Sequence, residues 1–418
     1  MSSSLSSTPQ AAEALPSAVD TVKPAPFQPP TLIIKITFML IGMFAFLQVY
    51  SVQSILPVLM IDLMATEVQV GMVVGATVLA VALMSPFLGM LSDAIGRKKI
   101  IVGAILFLAV PTALMASSTS IETMTIWRFL QGLSVPGITV VTIAYIGEEY
   151  EGNALAELMS YYVAGSVLGG FMGRFILGHL HEWIGWRSAY YVMAGLTLIG
   201  ALWVAKSLPA SQHFVPSPKF RTALATLGRH LTNRYVLSAC LLGFCVLFSL
   251  VGCFTFINLH LSEAPYQLST GQLANIFAVY LIGVVITPLS TKIVRRFGSA
   301  RTVIAAVIIS MVGVLLTLAA PLWLIIVGLT IMSSGVFITQ SATISYIASN
   351  VTEGRSLASG LYYMAYYAGG TLGAWVCGLA YAQGDWLWTV WVLLGLQVLA
   401  LLIASIGMVK TPRTVAAR

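Results

Sequence analysis

Charged side chains are scarce in this sequence. Lys, Arg, Asp and Glu make up only 8% of the 418 residues, whereas 58% of the residues are hydrophobic. A soluble globular protein carries about 25% charged residues, because water must wet its surface. The shortage of charge excludes a soluble enzyme, a nucleic-acid-binding protein and a secreted disulfide scaffold, and it favours a helical protein that crosses the membrane many times.

Several motifs that carry chemistry are missing as well. The sequence has no Gly-Lys dipeptide, which excludes a phosphate-binding loop and transport driven by the chain's own ATP hydrolysis. The four cysteines lie in apolar stretches without metal-ligand spacing, and the five histidines form no H-E-x-x-H pattern. We therefore expect no enzyme activity, no metal site, no cofactor and no nucleic-acid partner.

What the sequence does contain is a series of apolar stretches. A transmembrane helix needs about 20 apolar residues to cross the hydrocarbon layer. Stretches of this kind occur at residues 33–59, 69–91, 100–117, 123–147, 154–180, 187–208, 235–261, 271–294, 303–320, 322–349, 356–382 and 387–409. These twelve predicted spans indicate an all-α membrane protein.

The spans fall into two predicted six-helix bundles, residues 33–208 and 235–409. A polar, basic stretch at 209–234 separates them and is expected to be a cytoplasmic linker. Residues 1–32, rich in Ser, Ala and Pro, are expected to be a disordered cytoplasmic tail, and 410–418 a second cytoplasmic tail.

The two halves also resemble each other. At an offset of about 200 residues, Thr142–Ile146 matches Thr343–Ile347 and Tyr161–Ala164 matches Tyr362–Ala365. A duplication of this kind is typical of transporters built from two pseudo-symmetric bundles.

The distribution of Lys and Arg predicts the orientation. If the first tail is inside, 18 of the 21 cations fall on the inner side, and cytoplasmic loops retain positive charge. We therefore expect both termini to be cytoplasmic, in a multi-pass protein of the cell inner (plasma) membrane that works as a monomer.

A compact motif lies between the second and third spans. Gly89, Asp93, Gly96, Arg97 and Lys98 form the pattern G-x3-D-x2-G-R-K. This pattern resembles the loop motif of the major facilitator superfamily, and the resemblance implies that these residues form a gating motif that holds one state closed.

Two further segments extend the resemblance to residues 33–409. Arg128, Gln131 and Gly132 are similar to the R-x-x-Q-G pattern of that superfamily. The glycine-rich motif of its antiporters resembles the sequence at Gly165, Gly169, Gly170 and Gly173.

Together with the segment from Tyr50 to Leu59, the chain resembles the YnfM-type branch of the drug:proton antiporters. The resemblance implies secondary transport by alternating access, with proton-coupled export of drugs or small metabolites and the four glycines in helix packing. In one departure, Gly173 is followed by Arg174, where the antiporter motif usually continues Gly-Pro.

Two arginines lie inside predicted spans. Arg128 and Arg174 are each seven residues, or about 10 Å, from the outer boundary. A charge within a span is costly and usually faces the bundle interior or a watery pathway. Either these arginines pair structurally with Glu122, Glu182 or helix carbonyls, or they form a cationic site. The second reading gives an alternative function, a carrier for a small organic anion bound through Arg128 and Arg174.

Acidic residues are absent from the middle of span one and from the middles of spans seven to twelve. A proton-coupled carrier needs a group that titrates. Our candidates for coupling or substrate binding are Arg128, Gln131, Gly132, Arg174, Glu149 and His179. A non-transporting membrane receptor is the remaining alternative.

Polar and aromatic residues on the spans expected to face the centre predict a substrate cavity. Its predicted members are Tyr50, Gln53, Tyr145, Phe254, Asn258, Gln340, Tyr346, Tyr362, Tyr363 and Tyr366. In span one the spacing places Phe46, Tyr50, Gln53 and Pro57 on one face of a continuous helix. Aromatic surfaces with a polar tip suit amphipathic small molecules.

Overall fold

A computed structural model describes residues 29–211, 232–351 and 355–408. These ranges contain helices and turns and no strand. Most of the two predicted tails and of the predicted linker lies outside them, so the division of the chain into those segments stays a prediction.

Residues 29–211, the described part of the first half, form six α-helices and one short 3₁₀ helix. They are α1 (Leu32–Leu47), the 3₁₀ helix Ser51–Ile55, α2 (Leu56–Asp62), α3 (Glu67–Ile95), α4 (Arg97–Met115), α5 (Ile121–Glu149) and α6 (Gly152–Ser207).

The second half has a similar series within its described residues, except that the 3₁₀ helix interrupts its second span instead of its first. It comprises α7 (Arg234–Ser262), α8 (Thr270–Ile276), the 3₁₀ helix Phe277–Leu281, α9 (Ile282–Phe297), α10 (Ser299–Leu316), α11 (Leu322–Asn350) and α12 (Arg355–Gly407).

Two of these helices are too long to cross a membrane once. At 1.5 Å per residue, the 56 residues of α6 extend over about 80 Å, whereas the hydrocarbon layer is about 30 Å thick. The helix is broken at Gly185, whose φ of 75° favours glycine, and α12 is broken at Gly384 and Asp385. Each therefore supplies two crossing segments joined by a sharp turn.

The predicted fold class is confirmed. In the described ranges, nine helices are long and apolar enough to cross a membrane, and the bent pair formed by the helices of span one makes ten. If α6 and α12 are each counted as two segments, the total is the twelve predicted.

The two ends of the bundle differ in charge. The turns at one end, called the basic end here, carry Arg97, Lys98, Lys99, Arg295, Arg296 and Arg301. The opposite, acidic end carries Asp62, Glu67, Glu122, Glu182, Glu263 and Asp385.

Span one is not a continuous helix, and the prediction of a single face for its polar residues is wrong. The α-helix stops at Leu47, and the chain continues through a turn and a 3₁₀ helix before α2 begins. Pro57, in the first turn of α2, has no N–H to offer the Gln53 carbonyl one turn earlier. Instead, the Asn258 side-chain amide donates to this carbonyl at 3.1 Å.

Glycines allow each half to pack tightly. A Cβ added at Gly165, Gly169 or Gly173 of α6 would overlap carbonyl oxygens of α1. In the second half, a Cβ at Gly369 or Gly373 of α12 would overlap carbonyl oxygens of α7 in the same way. Helix pairs that approach this closely are held by van der Waals packing of small residues. The close α1–α6 pair is therefore repeated as the α7–α12 pair.

Candidate functional site: a cavity between the two halves

A cavity of about 400 Å³ lies between the two halves. Aromatic side chains from both halves form much of its wall: Phe46, Tyr50, Tyr162, Tyr280, Phe337, Tyr363, Tyr366 and Tyr367. The polar part of the wall includes Ser85, Thr139, Ser166, Thr287, Gln340, Ser341 and Ser345. This volume and mixture are typical of a site for a small amphipathic ligand.

Arg174 is the one charged residue among those that line the cavity in the described ranges. Its side chain is fully buried. Nε and Nη2 donate to the Gln53 side-chain oxygen at 2.8 and 2.6 Å, and Nη1 donates to the Gly170 carbonyl. Among the described residues, no carboxylate lies within 4 Å of this guanidinium.

Aromatic rings surround the Arg174 charge. The guanidinium carbon lies 4.8 Å from the ring centroid of Tyr50, 4.4 Å from that of Phe277 and 4.5 Å from that of Tyr280. The negative face of an aromatic ring attracts a cation, and more strongly away from water. The rings therefore replace part of the hydration that Arg174 loses on burial.

Arg128 is also fully buried, but it does not line the cavity. Its guanidinium donates to the carbonyl oxygens of Gln48 and Val49 and, at 3.1 Å, to that of Val73. Nη1 also donates to the Gln131 side chain at 2.7 Å. The carbonyls of Gln48 and Val49 lie in the turn that interrupts span one, so Arg128 stabilises this turn.

The other two residues of the predicted R-x-x-Q-G pattern complete this structural cluster. Gln131 donates to the Thr112 hydroxyl at 2.8 Å and so links α5 to α4. A Cβ at Gly132 would overlap the Thr77 carbonyl, so glycine here lets α5 and α3 approach closely. The structure thus places Arg128, Gln131 and Gly132 in helix packing and away from the cavity.

Hydrogen bonds between the two halves gather at the acidic end. The Gln53 amide donates to the Thr255 hydroxyl at 2.9 Å, and the Thr270 hydroxyl donates to the Gly178 carbonyl at 3.1 Å. The cavity extends in the other direction, towards Ile143 and Ile344 near the basic ends of α5 and α11.

His179 and Glu182 belong to this group of contacts at the acidic end. His179 Nε2 lies 3.0 Å from the Asn275 side-chain oxygen, and its Nδ1 lies 4.0 Å from Glu182. The Gly271 N–H donates to Glu182 at 2.8 Å. Glu182 lies between the fifth and sixth predicted spans, and hydrogen bonds from the Ser269 hydroxyl and the Gly271 N–H hold the pKa of its carboxyl below its usual range. The contribution of the ionised Glu182 carboxylate to these contacts is therefore lost only as the pH falls through that lowered pKa.

The predicted gating motif lies at the basic end. Gly89 and Asp93 belong to α3, and the Asp93 side chain lies outside the described part of the chain. Gly96, with a φ of 104°, forms the turn, and Gly298, with a φ of 81°, forms the matching turn of the second half. Such positive φ values favour glycine.

Two basic residues follow this turn. Arg97 forms a salt bridge of 2.5 Å with Glu148 and also donates to Ser92. Lys98 is half-buried, and Glu149, the last residue of α5, is buried beside Glu148.

The structure brings four of the ten predicted cavity residues to the cavity wall, namely Tyr50, Gln340, Tyr363 and Tyr366. Gln53 lies behind the wall, where it holds Arg174. The remaining five residues lie elsewhere. The Asn258 amide donates to the Gln53 carbonyl of span one, and the Phe254 ring packs against the buried ring of Phe277. The Tyr145 and Tyr346 hydroxyls donate to the carbonyls of Pro209 and Gly407, and Tyr362 is buried in α12.

The predicted list lacks three tyrosines of the wall, Tyr162, Tyr280 and Tyr367, the last of which follows Tyr363 by one helical turn. A signal existed for Tyr162, because the repeat aligns it with Tyr363, and both face the cavity. No comparable signal exists for Tyr280, since its orientation depends on the short 3₁₀ helix that interrupts the eighth predicted span.

A helical bundle of two similar halves around a central cavity is the architecture of a secondary transporter. The chain belongs to the Major Facilitator Superfamily, whose model matches residues 38–351 and 265–417. The expectation that this protein is a transporter and no enzyme is thereby confirmed.

Relatives and structural neighbours agree with this family. The chain is 30% identical over 340 residues to an uncharacterised transporter of Buchnera aphidicola subsp. Schizaphis graminum, covering 81% of this chain and 82% of that protein. It is 30% identical over 348 residues to the inner membrane transport protein YnfM of Escherichia coli, covering 82% and 83%. A crystal structure of a bacterial homologue of the lysosomal transporter Spinster shares the fold, with a TM-score of 0.72, 16% identity, and coverage of 88% of this chain and 95% of that one.

Proposed function

We propose that this protein is a proton-coupled exporter of drugs or small metabolites that works by alternating access as a monomer. The basic end lies in the cytoplasm of a bacterial cell, with both termini on that side of the inner membrane. The observation that supports this proposal best is the cavity, because both halves form its wall while the hydrogen bonds between them gather at the acidic end.

In this arrangement the cavity faces the cytoplasm. Transport requires the contacts at the acidic end to break and a closure at the basic end to form. The glycine-packed pairs α1–α6 and α7–α12 lie within single halves, so they can persist during this change. The segment from Gly89 to Lys98 is positioned to take part in the basic-end closure.

His179 is our candidate for the proton-responsive group. A protonated imidazole donates from both ring nitrogens. One nitrogen faces Asn275 of the second half and the other faces Glu182, which itself accepts from Gly271 of the second half. A proton bound here from the outer side therefore strengthens closure of the acidic end and favours the cytoplasm-facing state.

Transport in membrane vesicles tests the proposed function. Inside-out vesicles that contain the protein should accumulate a fluorescent lipophilic dye when a pH gradient is imposed. Accumulation that persists after the gradient is collapsed would contradict proton coupling, and no accumulation of any dye in a broad panel would contradict export.

A cross-link tests alternating access. In a His179→Cys, Asn275→Cys double variant, a short thiol cross-linker should join the halves at the acidic end and stop downhill dye flux measured without a pH gradient, which needs alternating access but not the proton-responsive group. The matched control is Asp62→Cys with Trp186→Cys, a contact of 2.8 Å at the same end but within the first half, which should tolerate the cross-link. Equal transport by both cross-linked proteins would contradict the mechanism.

The alternative predicted from the sequence, a carrier for an organic anion, is supported by Arg174 alone. Arg128 is engaged by main-chain carbonyls and by Gln131, and it is remote from the cavity wall. Since the described wall carries one cation and no carboxylate, it is poorly suited to permanently cationic drugs.

A further inference from the structure

We propose that Arg174 is the anchor of a subsite for the carboxylate of an aromatic monoanion, covered in this state by Tyr50 and Tyr280. The inference rests on the proposed transport function and specifies the class of substrate that the cavity takes.

The Arg174 charge is buried with few compensating acceptors. A buried arginine is normally stabilised by a carboxylate or by enough oxygen acceptors to replace its hydration. Arg128 meets this condition with carbonyls from two segments of the chain. Arg174 has one amide oxygen, one carbonyl, the Tyr280 hydroxyl and three aromatic rings, and no carboxylate among the described residues. The site is therefore short of one negative charge.

Aromatic rings control the access of a ligand to the Arg174 charge. Of the three rings on the guanidinium, those of Tyr50 and Tyr280 also line the cavity, and both side chains are largely buried. Arg174 itself belongs to the cavity wall but is fully buried, and these two rings pack over its guanidinium. Rotation of either ring aside exposes the guanidinium edge, and a carboxylate oxygen then replaces a cation–π contact with charge-assisted hydrogen bonds, which are stronger.

The rest of the cavity wall determines which ligand shape fits. Tyr363, Tyr366 and Tyr367 line the cavity beyond this point, with Phe337 in the wall. An aromatic body stacks well on such a surface. One cation compensates one negative charge, so a dianion would leave a buried charge unpaired, and an aromatic monocarboxylate fits better.

Binding to the purified full-length protein tests this inference. The probes are 2-naphthoate and its neutral analogue 2-naphthamide, titrated by calorimetry at neutral pH. We expect naphthoate to bind about tenfold or more tightly than naphthamide, a difference of about 1.4 kcal/mol, because charge-assisted hydrogen bonds are stronger than neutral ones. Equal affinities in the unmodified protein would overturn the proposal.

Variants of the protein test whether Arg174 causes the preference for naphthoate over naphthamide. Arg174→Gln should make the two affinities equal, whereas Arg174→Lys should keep part of the preference by retaining the charge. The matched control is Arg187→Gln, because Arg187 donates to the Ser118 carbonyl, packs on Trp186 and does not line the cavity. A preference that survives in Arg174→Gln, or disappears in Arg187→Gln, would contradict the assignment.

Folding and transport are separable from this result. If Arg174→Gln does not fold, the partial preference expected in Arg174→Lys and the comparison of the two probes on the unmodified protein still test the subsite. Dye export without a preference for naphthoate would refute the subsite and leave the transporter standing. A naphthoate preference that depends on Arg174, in a protein that transports nothing, would refute the transport function and leave the subsite standing.

Discussion

The surroundings of the two buried arginines differ more than their positions in the sequence suggest. Arg128 lies among main-chain carbonyls at the break of span one, in a region formed entirely by the first half. Arg174 lies in the cavity wall, among rings from both halves and one amide side chain. A membrane-embedded cation can therefore stabilise an irregular backbone or remain available to a ligand. The hydrogen-bond acceptors around it indicate which of these two roles it has.

The largest expected effect is on stability, and it tests this division directly. Arg128→Met removes the donor from three carbonyls and from Gln131, and each unpaired buried acceptor costs about 1–3 kcal/mol. Arg174→Met loses fewer such bonds and relieves a buried charge. We expect thermal unfolding in detergent at a much lower temperature for Arg128→Met than for Arg174→Met. Similar temperatures would remove the distinction between the two sites.

A second comparison uses two adjacent glycines near Arg174. In Gly169→Ala the new methyl overlaps the Met43 carbonyl of α1, and overpacking of this kind costs about 1–3 kcal/mol. In Gly170→Ala the nearest atom is Arg174 Nη1 at 3.7 Å, an ordinary contact. The first variant should unfold at a lower temperature, while the second should be stable. Equal unfolding temperatures would show that the α1–α6 contact is less rigid than its geometry indicates.

The third prediction concerns Gln53, the main hydrogen-bond partner of Arg174. Gln53→Leu removes the acceptor of two guanidinium N–H groups and the bond to Thr255 of the second half. We expect a loss of about 1–2 kcal/mol and weaker closure at the acidic end, because hydrogen bonds across helices contribute about 0.6–1.7 kcal/mol in membranes. The readout is the yield of the His179→Cys, Asn275→Cys cross-link, which should fall. An unchanged yield would place closure in other contacts.

The smallest expected effect separates structural tyrosines from cavity tyrosines. Tyr145→Phe loses a hydrogen bond of 3.0 Å to the Pro209 carbonyl, worth about 0.5–1.5 kcal/mol, and should leave binding of a transported dye unchanged. Tyr363→Phe changes the cavity wall and should alter dye affinity with little loss of stability. Dye titrations and unfolding curves of both variants test this difference. A change of dye affinity in Tyr145→Phe but not in Tyr363→Phe would mean that the cavity extends to Tyr145.

The helices were predictable because each apolar stretch is long enough to span a membrane without help from its neighbours. Helix α5, predicted at residues 123–147, extends over Ile121–Glu149. The break in span one was not predicted, although Pro57 was visible. Its position depends on donors that the sequence does not place nearby, Arg128 on α5 and Asn258 on α7.

The candidate site was only partly predictable for the same reason. Hydrophobic periodicity finds the face that a helix buries, but it cannot distinguish a helix neighbour from a cavity. Tyr346 and Tyr363 are both buried or nearly buried tyrosines in spans, yet only Tyr363 reaches the cavity wall. Arg128 and Arg174 have the same predicted depth, and only their partners from other helices separate their surroundings.

The origin of those partners also has a consequence for biosynthesis. All the acceptors of Arg128 lie between residues 48 and 131, so they have left the ribosome by the time the linker is made. Two of the three rings around Arg174, those of Phe277 and Tyr280, belong to a segment synthesised about 100 residues after it. Since domains generally fold in order of synthesis, the first bundle is made with all the acceptors of Arg128 present and with two of the three rings around Arg174 still missing. Arrival of the eighth span is then the step that covers Arg174, which makes this arginine a checkpoint for docking of the second bundle on the first.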